Sequence, residues 1–280
     1  MAIKSTKTFL RVNSLLGRLP LVRSIHKLFT NRHGVIIPDK EIFGIVFKTP
    51  VGLGADIDRN GDYIDVLSGY GFGHICIGPL TPSQQENDSE VPSKGIKYAI
   101  TRTGELPFNG ILAMDLCCNR TAASEEMIIR DYNVAFSLAY DFADFFILDF
   151  RPSWISSQLN PSLIANIADS VLETRLTYDN YKPVLLRLPS GMSVAMLDEI
   201  LSFSRMNRID GFVLSDKDAI AHIYEQSSGH FPIISAGMVR KDTDVSALLE
   251  YGADLVEISS SFVNGGGKFL NKIYKSLEQK

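Results

Sequence analysis

Residues 183–188, Pro-Val-Leu-Leu-Arg-Leu, form a short run that is almost wholly apolar. Runs of this kind are typical of β-strands that are buried on both faces, as in parallel sheets. A helical pattern follows at 193–207, where Leu197, Ile200 and Leu201 share one face, and another apolar run lies at 211–215. This order predicts a strand, a helix and a second, parallel strand.

The same order repeats along the chain. Eight apolar runs are predicted as strands, at 51–55, 74–78, 111–115, 145–150, 183–188, 211–215, 232–236 and 254–259. Helices are predicted at 60–70, 124–140, 160–178, 193–207, 241–251 and 265–279. Eight strands alternating with helices, without a Pro/Gly/Ser-rich linker, predict an α/β fold with one (β/α)₈ TIM barrel over 39–280. A doubly wound parallel sheet is the alternative.

Two connections depart from this pattern. The polar link 79–110 contains four prolines, and we expect it to be a lid or a binding loop without secondary structure. The link 216–231, between the sixth and seventh strands, is short, and no helix is predicted in it.

Composition narrows the class of protein. The chain has 280 residues, is 45% hydrophobic and 21% charged, and carries a net charge of −4, which is typical of a globular protein. The mildly acidic balance argues against a nucleic-acid partner. Cys76, Cys117 and Cys118 match neither a disulfide framework nor a zinc-ligand spacing, so no metal site is predicted from them and we expect a reduced, cytoplasmic protein. No run approaches the ~18 apolar residues of a membrane span.

The N-terminal segment 1–38 differs from the rest of the chain. Its charge is +7, from seven Lys or Arg residues and no acid, against −11 in 39–280. Leu15, Leu19 and Leu28 belong to an apolar stripe at helical spacing, which predicts a basic amphipathic helical extension. Three interpretations remain open: peripheral association with the inner face of a membrane, a helical cap on the barrel, and a transit peptide.

Polar and charged residues follow most of the predicted strands. In β/α barrels the functional groups gather at the carboxyl ends of the strands. Here these ends carry Asp56, Gly78, Asp115, Asp149 to Arg151, Arg187, Ser215 with Asp216, Ala236 with Gly237, and Ser259 with Ser260. We predict a functional pocket there, with a phosphate site after the last two strands. The competing interpretation is that these residues cap the helices that follow.

Three stretches of the sequence carry more specific motifs. They are 43–61, which includes Gly52-Leu53-Gly54-Ala55 and Asp58-Arg59-Asn60-Gly61; 71–82, Gly71-Phe72-Gly73-His74-Ile75-Cys76-Ile77-Gly78-Pro79-Leu80-Thr81-Pro82; and 251–258, Tyr251-Gly252-Ala253-Asp254-Leu255-Val256-Glu257-Ile258. Together they resemble the dihydroorotate dehydrogenases, most closely the membrane-associated, quinone-reducing class. The basic N-terminus is similar to the segment through which that class meets quinone and membrane.

The resemblance implies an FMN-dependent oxidoreductase that converts dihydroorotate to orotate in pyrimidine biosynthesis. In that family the flavin takes a hydride, a base removes a proton, and a quinone reoxidises the flavin. The resemblance places Arg187 where the family has a catalytic lysine beside the flavin ring. The cofactor-binding residues that it implies are Gly54, Ala55, Arg187, Ser215, Gly237, Met238, Ser259 and Ser260.

The substrate side departs from the family pattern. The substrate-binding residues that the resemblance implies are Arg59, Arg102, Asp115, Asp149 and Asp216. The three aspartates replace asparagines, and an ionised aspartate cannot donate a hydrogen bond. Pro152 stands at the position of the catalytic serine, and Ser153 replaces it only if the loop shifts by one residue. Cys117 is another candidate base, against the interpretation that it is a buried, inert thiol.

Three functions are compatible with these features. The first is an FMN-binding oxidoreductase, a divergent paralogue with a remodelled pocket for its small-molecule substrate. The second is a catalytically inactive barrel that serves as a binding or regulatory protein at a membrane surface. The third is a hydrolase or lyase that holds Mg²⁺ with the three aspartates.

Overall fold

Eight parallel strands close into a barrel in the computed structural model, which describes Thr8, residues 37–106 and residues 108–278. The strands are β1 (Lys40–Ile42) and β2 (Ile45–Phe47), which form an antiparallel hairpin, and the barrel strands β3 (Val51–Asp58), β4 (Ile75–Leu80), β5 (Leu112–Leu116), β6 (Phe145–Asp149), β7 (Val184–Arg187), β8 (Gly211–Leu214), β9 (Ile233–Ala236) and β10 (Leu255–Ile258). β10 pairs with β3 and completes the ring. The predicted TIM barrel is confirmed, whereas nearly all of the segment 1–38 lies outside the described residues.

Helices cover the outside of the barrel. Those in the described residues are α1 (Ile64–Leu67), α2 (Ile96–Glu105), α3 (Glu125–Ala139), α4 (Ser153–Ser156), α5 (Pro161–Arg175), α6 (Val194–Asn207), α7 (Lys217–Ser227), α8 (Thr243–Glu250) and α9 (Ser260–Glu278). α1 is shorter than the predicted 60–70 because a 3₁₀ turn, Ser68–Tyr70, replaces its second half. α9 begins five residues before the predicted 265 and is kinked at Gly266.

Two helices contradict the prediction that their links contain none. α2 lies inside 79–110, where Ile96 and Ala99 are buried at helical spacing although the surrounding sequence is polar. α7 lies inside 216–231, where Ile220 and Ile223 are buried in the same way. Short apolar stripes of this kind bury one face of a helix against the barrel. The prolines of the first link and the polar residues of both concealed them.

The barrel interior has an apolar lower part. Ile42 and Phe47 of the hairpin pack with Phe145, at the amino end of β6, and so plug that end. Above them the inward positions are filled by apolar side chains from successive strands, among them Ala113, Ile147, Leu185 and Leu255. Side chains alternate along a strand, so the residue two positions after each of these also points inward, at the carboxyl end of the barrel.

Candidate functional site at the mouth of the barrel

The inward positions at the carboxyl end of the barrel are charged. They are Asp115 on β5, Asp149 on β6, Arg187 on β7 and Glu257 on β10. The three carboxylates are fully buried, and the Arg187 side chain is only 3% exposed. Since charged groups are almost never fully buried without partners, this layer needs internal pairing.

Arg187 joins two of the acids inside the barrel. Its Nη2 donates to Glu257 Oε2 at 2.9 Å, and its Nε lies 3.2 Å from Asp115 Oδ2. Glu257 Oε1 is 3.4 Å from Nε2 of His74, which is also buried. Polar contacts from this layer therefore extend down to His74, whose ring meets Phe47 and Phe145 of the apolar floor.

Arg151 closes the layer from above. It follows β6 directly, and its Nε and Nη2 donate to the two carboxylate oxygens of Asp149 at 2.9 and 2.7 Å. The same guanidinium lies 3.6 Å from Asp115 Oδ2 and 3.5 Å from Asp56 Oδ2. A bidentate guanidinium–carboxylate pair is among the stronger charge-assisted contacts, so Arg151 lies across the mouth in a defined orientation.

The buried acids titrate differently because their partners differ. Burial alone would raise the pKa of Asp149, but Arg151 outweighs it and the net shift is downward. At Glu257 burial would again raise the pKa, but Arg187 outweighs it and the pKa is lowered. Burial and the neighbouring Asp149 raise the pKa of Asp115 well above its usual range, against the opposing effect of Arg187. Asp115 Oδ2 is within ion-pair distance of both arginines, yet neither of its oxygens receives a well-directed hydrogen bond, and we therefore take the upward shift as the dominant effect.

Arg59 holds the rim on the β3 side. Its guanidinium lies 3.3 Å from Asp56 Oδ1 and donates to the carbonyl of Glu90 at 3.2 Å. Asp58 orders the turn by accepting the backbone N–H groups of residues 62 and 63 at 2.9 and 2.8 Å. Burial raises the pKa of Asp58 to about 7, although these hydrogen bonds oppose the shift.

The loop that follows β4 crosses to the next strands at the same end. Arg120, which follows β5, pairs with Asp88 and lies 3.2 Å from Glu90. Glu90 also accepts the backbone N–H and the hydroxyl of Ser153 at 2.7 and 2.6 Å. Residues 81–95 are therefore tied to the ends of β3, β5 and β6.

Several residues predicted for the site lie elsewhere. Arg102 is on α2, where it pairs with Glu105 at 2.7 Å. Asp216 caps α7 through Ala219 N at 2.7 Å, as the competing N-cap interpretation predicts. Ser260 begins α9 and is exposed, and Met238 packs against the outer core. Cys117 is fully buried and burial raises the pKa of its thiol, so the inert interpretation applies.

Four of the residues predicted to bind the cofactor, Arg187, Ser215, Gly237 and Ser259, line a small cavity, whereas Gly54 and Ala55 are not among its walls. Its volume is about 60 Å³, and its walls include Arg151, Arg187, Ser215, Gly237 and Ser259. Ligand pockets usually measure about 300–1,000 Å³, so FMN does not fit with these side chains in place. On the ring side, a Cβ added at Gly54 would lie 2.7 Å from Ser259 Oγ, which leaves no gap there, whereas a Cβ at Gly237 would meet nothing within 4 Å. The phosphate end is open and the ring end is closed.

Comparison with known proteins places this geometry in a context. A quinone-dependent dihydroorotate dehydrogenase from Buchnera aphidicola is 24% identical over 296 aligned positions, which cover 86% of this chain and 88% of the relative. One from Pasteurella multocida is 24% identical over 336 positions, which cover 99% and 94%. The chain is similar to these dehydrogenases along nearly its whole length, at low identity. The resemblance that the sequence motifs indicate is thereby confirmed.

Solved structures support the same fold. A dihydroorotate dehydrogenase from Eimeria tenella superposes with a TM-score of 0.78 at 15% identity, covering 92% of this chain and 91% of that one. A second structure from the same organism, in ligand-free form, also gives 0.78, at 14% identity, with 90% and 92% covered. No family model matches the chain.

Sequence reasoning missed three members of the site. Glu257 and His74 lie within the motifs that resemble the dehydrogenases, yet they were not assigned a role there. The signal available in the sequence is an acid, Glu257, between Val256 and Ile258 in a strand predicted to be buried on both faces. The structure shows Leu255 inside the barrel, so Glu257, two positions later, also points inward. Glu90 gave no signal, since its contacts join residues far apart in the sequence. Among the described residues, no group of three or more His, Cys, Asp or Glu is arranged to hold a metal ion.

Proposed function

We propose that the chain is an oxidoreductase of the dihydroorotate dehydrogenase type whose substrate site is rebuilt, so that it does not oxidise dihydroorotate. The observation that carries this proposal is the similarity to named dehydrogenases along 86–99% of the chain. FMN as cofactor, a small molecule as substrate and a quinone as electron acceptor are properties of that class. They are taken over here as parts of the proposal.

The charges at the mouth support a change of substrate. Asp56, Asp115, Asp149 and Glu257 surround two arginines, so a carboxylate substrate would enter among acids. Each ionised acid at about 4 Å repels such a substrate by about 4 kcal/mol at an effective dielectric constant of 20, and the arginines that would offset this are already paired with those acids. Pro152 supplies no base, and the hydroxyl of Ser153 is bonded to Glu90.

The FMN misfit limits what this proposal assigns. The cavity that Arg151 and Arg187 border is too small for FMN as it stands, and FMN enters the proposal only with a rearrangement of its walls. No catalytic step is therefore assigned through the flavin. What the chain itself supplies is a buried cation, Arg187, which Asp115 and Glu257 hold in place.

The flavin content of the purified full-length protein tests the proposal. We expect flavin absorption bands in the protein as isolated or after addition of FMN, and no turnover of dihydroorotate with a quinone. The Pasteurella multocida relative, assayed in parallel, is the positive control for turnover. A colourless protein that takes up no FMN would overturn the oxidoreductase, and turnover at the rate of the control would overturn the rebuilt substrate site.

The closed mouth favours a second candidate, a catalytically inactive barrel that acts as a binding or regulatory protein at a membrane surface. A colourless protein in the same experiment is its expected result. The relatives are named as dehydrogenases, and for this reason the oxidoreductase comes first. Cytoplasmic location and attachment to the inner face of a membrane through 1–38 remain predictions. Within the described part of the chain, no helix is long and apolar enough to cross a membrane.

A further inference from the structure

We infer that the mouth of the barrel recognises a planar cation that donates several hydrogen bonds, an amidinium or a guanidinium, and that the Arg151 side chain fills this site from within the chain. The inference names the ligand class of the proposed substrate site and rests on the proposed function for the ligand's role as a substrate. Binding itself is a separate matter and is tested without reference to flavin.

The first observation is the set of acceptors around the Arg151 guanidinium. Asp149 binds it with both oxygens, at 2.9 and 2.7 Å, and Asp115 and Asp56 lie at 3.6 and 3.5 Å from its Nη atoms. Three carboxylates therefore face one planar cation. This is the arrangement by which a protein recognises a guanidinium or an amidinium, whose N–H groups match a carboxylate two at a time.

The second observation is that the acceptors are built into the barrel and the cation is not. Asp115 and Asp149 are on strands, have no exposed side-chain surface, and point inward from the ring. The hydroxyl of the buried Tyr132 donates to the carbonyl of Asp149 at 2.6 Å and fixes the end of β6. Arg151 comes from the loop after β6, and its side chain is 29% exposed. Groups held by strands stay in place when a part-buried loop side chain moves, so the acceptors remain as a site.

The third observation is an acceptor that Arg151 leaves unsatisfied. Both oxygens of Asp115 are buried without a well-directed hydrogen bond. Buried polar groups nearly always have partners, and an exception calls for an explanation. A planar cation that directs its N–H groups at Asp115 would supply these hydrogen bonds and favour the ionised form of the carboxyl.

The fourth observation is room for a small ligand. The cavity of about 60 Å³ borders Arg151 and Arg187 and is lined further by Ser215, Gly237 and Ser259. It is too small for a large cofactor, but it adjoins the space that the Arg151 side chain occupies. Displacement of that side chain would leave room for a compact cation, with its planar end on Asp149 and Asp115, beside the cavity that the predicted cofactor residues line.

Chemical rescue tests this inference. In Arg151→Ala the acceptors lose their built-in cation, and millimolar guanidinium or acetamidinium should bind in its place. We expect the melting temperature to rise by about 3 °C for each tenfold increase in concentration above the dissociation constant. Tetramethylammonium, which is neither planar nor a donor, should give no such rise. In the wild type, competition from Arg151 should weaken the effect at least tenfold.

Two further variants make the result specific. Arg151→Ala combined with Asp149→Asn removes the bidentate acceptor and should abolish the rise, and Arg130→Ala removes an exposed arginine outside the mouth and should show none. If Arg151→Ala is insoluble, it and the double variant are refolded with and without acetamidinium, and a yield that rises for Arg151→Ala alone supports the inference. The inference is overturned if Arg151→Ala and the double variant respond equally, or if neither responds. Rescue in a colourless protein would retain this site while refuting the oxidoreductase, and a flavoprotein without rescue would do the opposite.

Discussion

Replacement of Asp115 by asparagine should stabilise the protein, and increasingly so as the pH rises. Asp115 is fully buried on β5, and neither of its oxygens receives a well-directed hydrogen bond. Burial and Asp149 together raise the pKa of its carboxyl well above the ordinary 3.8. Asparagine has nearly the same shape, keeps one oxygen for Arg187, and gains an N–H₂ group that can donate to Asp149.

The pH dependence of this stability difference follows from proton binding to Asp115. Between 3.8 and the raised native pKa, the folded protein holds a proton on Asp115 that the unfolded chain has lost. Stability therefore falls as the pH rises through this window, at up to about 1.4 kcal/mol per pH unit from this one group. The asparagine side chain of the variant does not titrate. The difference in the free energy of unfolding, variant minus wild type, should grow at that rate from about pH 4 upward, and level off above the native pKa.

Urea unfolding at a series of pH values measures this difference. Groups common to both proteins cancel, and the Glu86→Gln variant, which removes an exposed carboxylate on the loop after β4, controls for the loss of one negative charge. A difference that stays flat with pH would show that Asp115 is ionised in the native state. A variant that is less stable than the wild type at every pH would show that its ion pair with Arg187 dominates. Either result would refute the reasoning.

Three other predictions test the packing. Arg175→Ala should cost about 3–5 kcal/mol because it leaves a part-buried carboxylate unpaired, whereas Arg130→Ala, with a side chain 65% exposed, should cost less than about 1 kcal/mol in the same urea titration. Gly73→Ala should lower the free energy of unfolding by about 3 kcal/mol, since the added Cβ would lie 2.1 Å from a backbone oxygen. Gly104→Ala should raise it by up to about 1 kcal/mol, because the nearest neighbour of its Cβ would lie 3.8 Å away and alanine favours the helix. Equal midpoints for the two glycine variants would contradict this packing. The three cysteine thiols, all buried and with pKa values raised by burial, should react with a thiol reagent only after unfolding; modification at native rates typical of exposed thiols would count against the barrel as described.

The sequence predicts the barrel well because its strands are marked by their burial. Runs such as 145–150 and 183–188 are apolar on both faces, and no tertiary information is needed to recognise them. The two missed helices are different. α2 and α7 bury only narrow stripes, such as Ile96 with Ala99, between polar and charged residues. The hairpin β1–β2 has three-residue strands, too short for a period to be seen.

The site is predictable only in part, because strand ends are local and ion pairs are not. The sequence places Asp115, Asp149 and Arg187 at one end of the barrel, and the structure brings them together. The sequence does not show that Asp216 turns to cap its own helix, since a capping aspartate and a site aspartate look the same in a sequence. It also does not show that Arg151 crosses the mouth, because that depends on which acid lies nearest in space.

The pairing within the mouth bears on whether the site has simply decayed. Random loss of function would leave buried charges without partners, and each would cost several kcal/mol. Here Asp149 has Arg151, Glu257 has Arg187 and His74, and both pairs lower the pKa of the acid. Of the three aspartates that stand where the resemblance implies asparagines, Asp149 is matched by Arg151, Asp115 lies within ion-pair distance of Arg187 and Arg151, and Asp216 caps its own helix. Pairing of the two acids inside the barrel is expected when a site is held to a new charge pattern. Asp115, whose oxygens receive no well-directed hydrogen bond, is the group on which both the stability test and the proposed ligand converge.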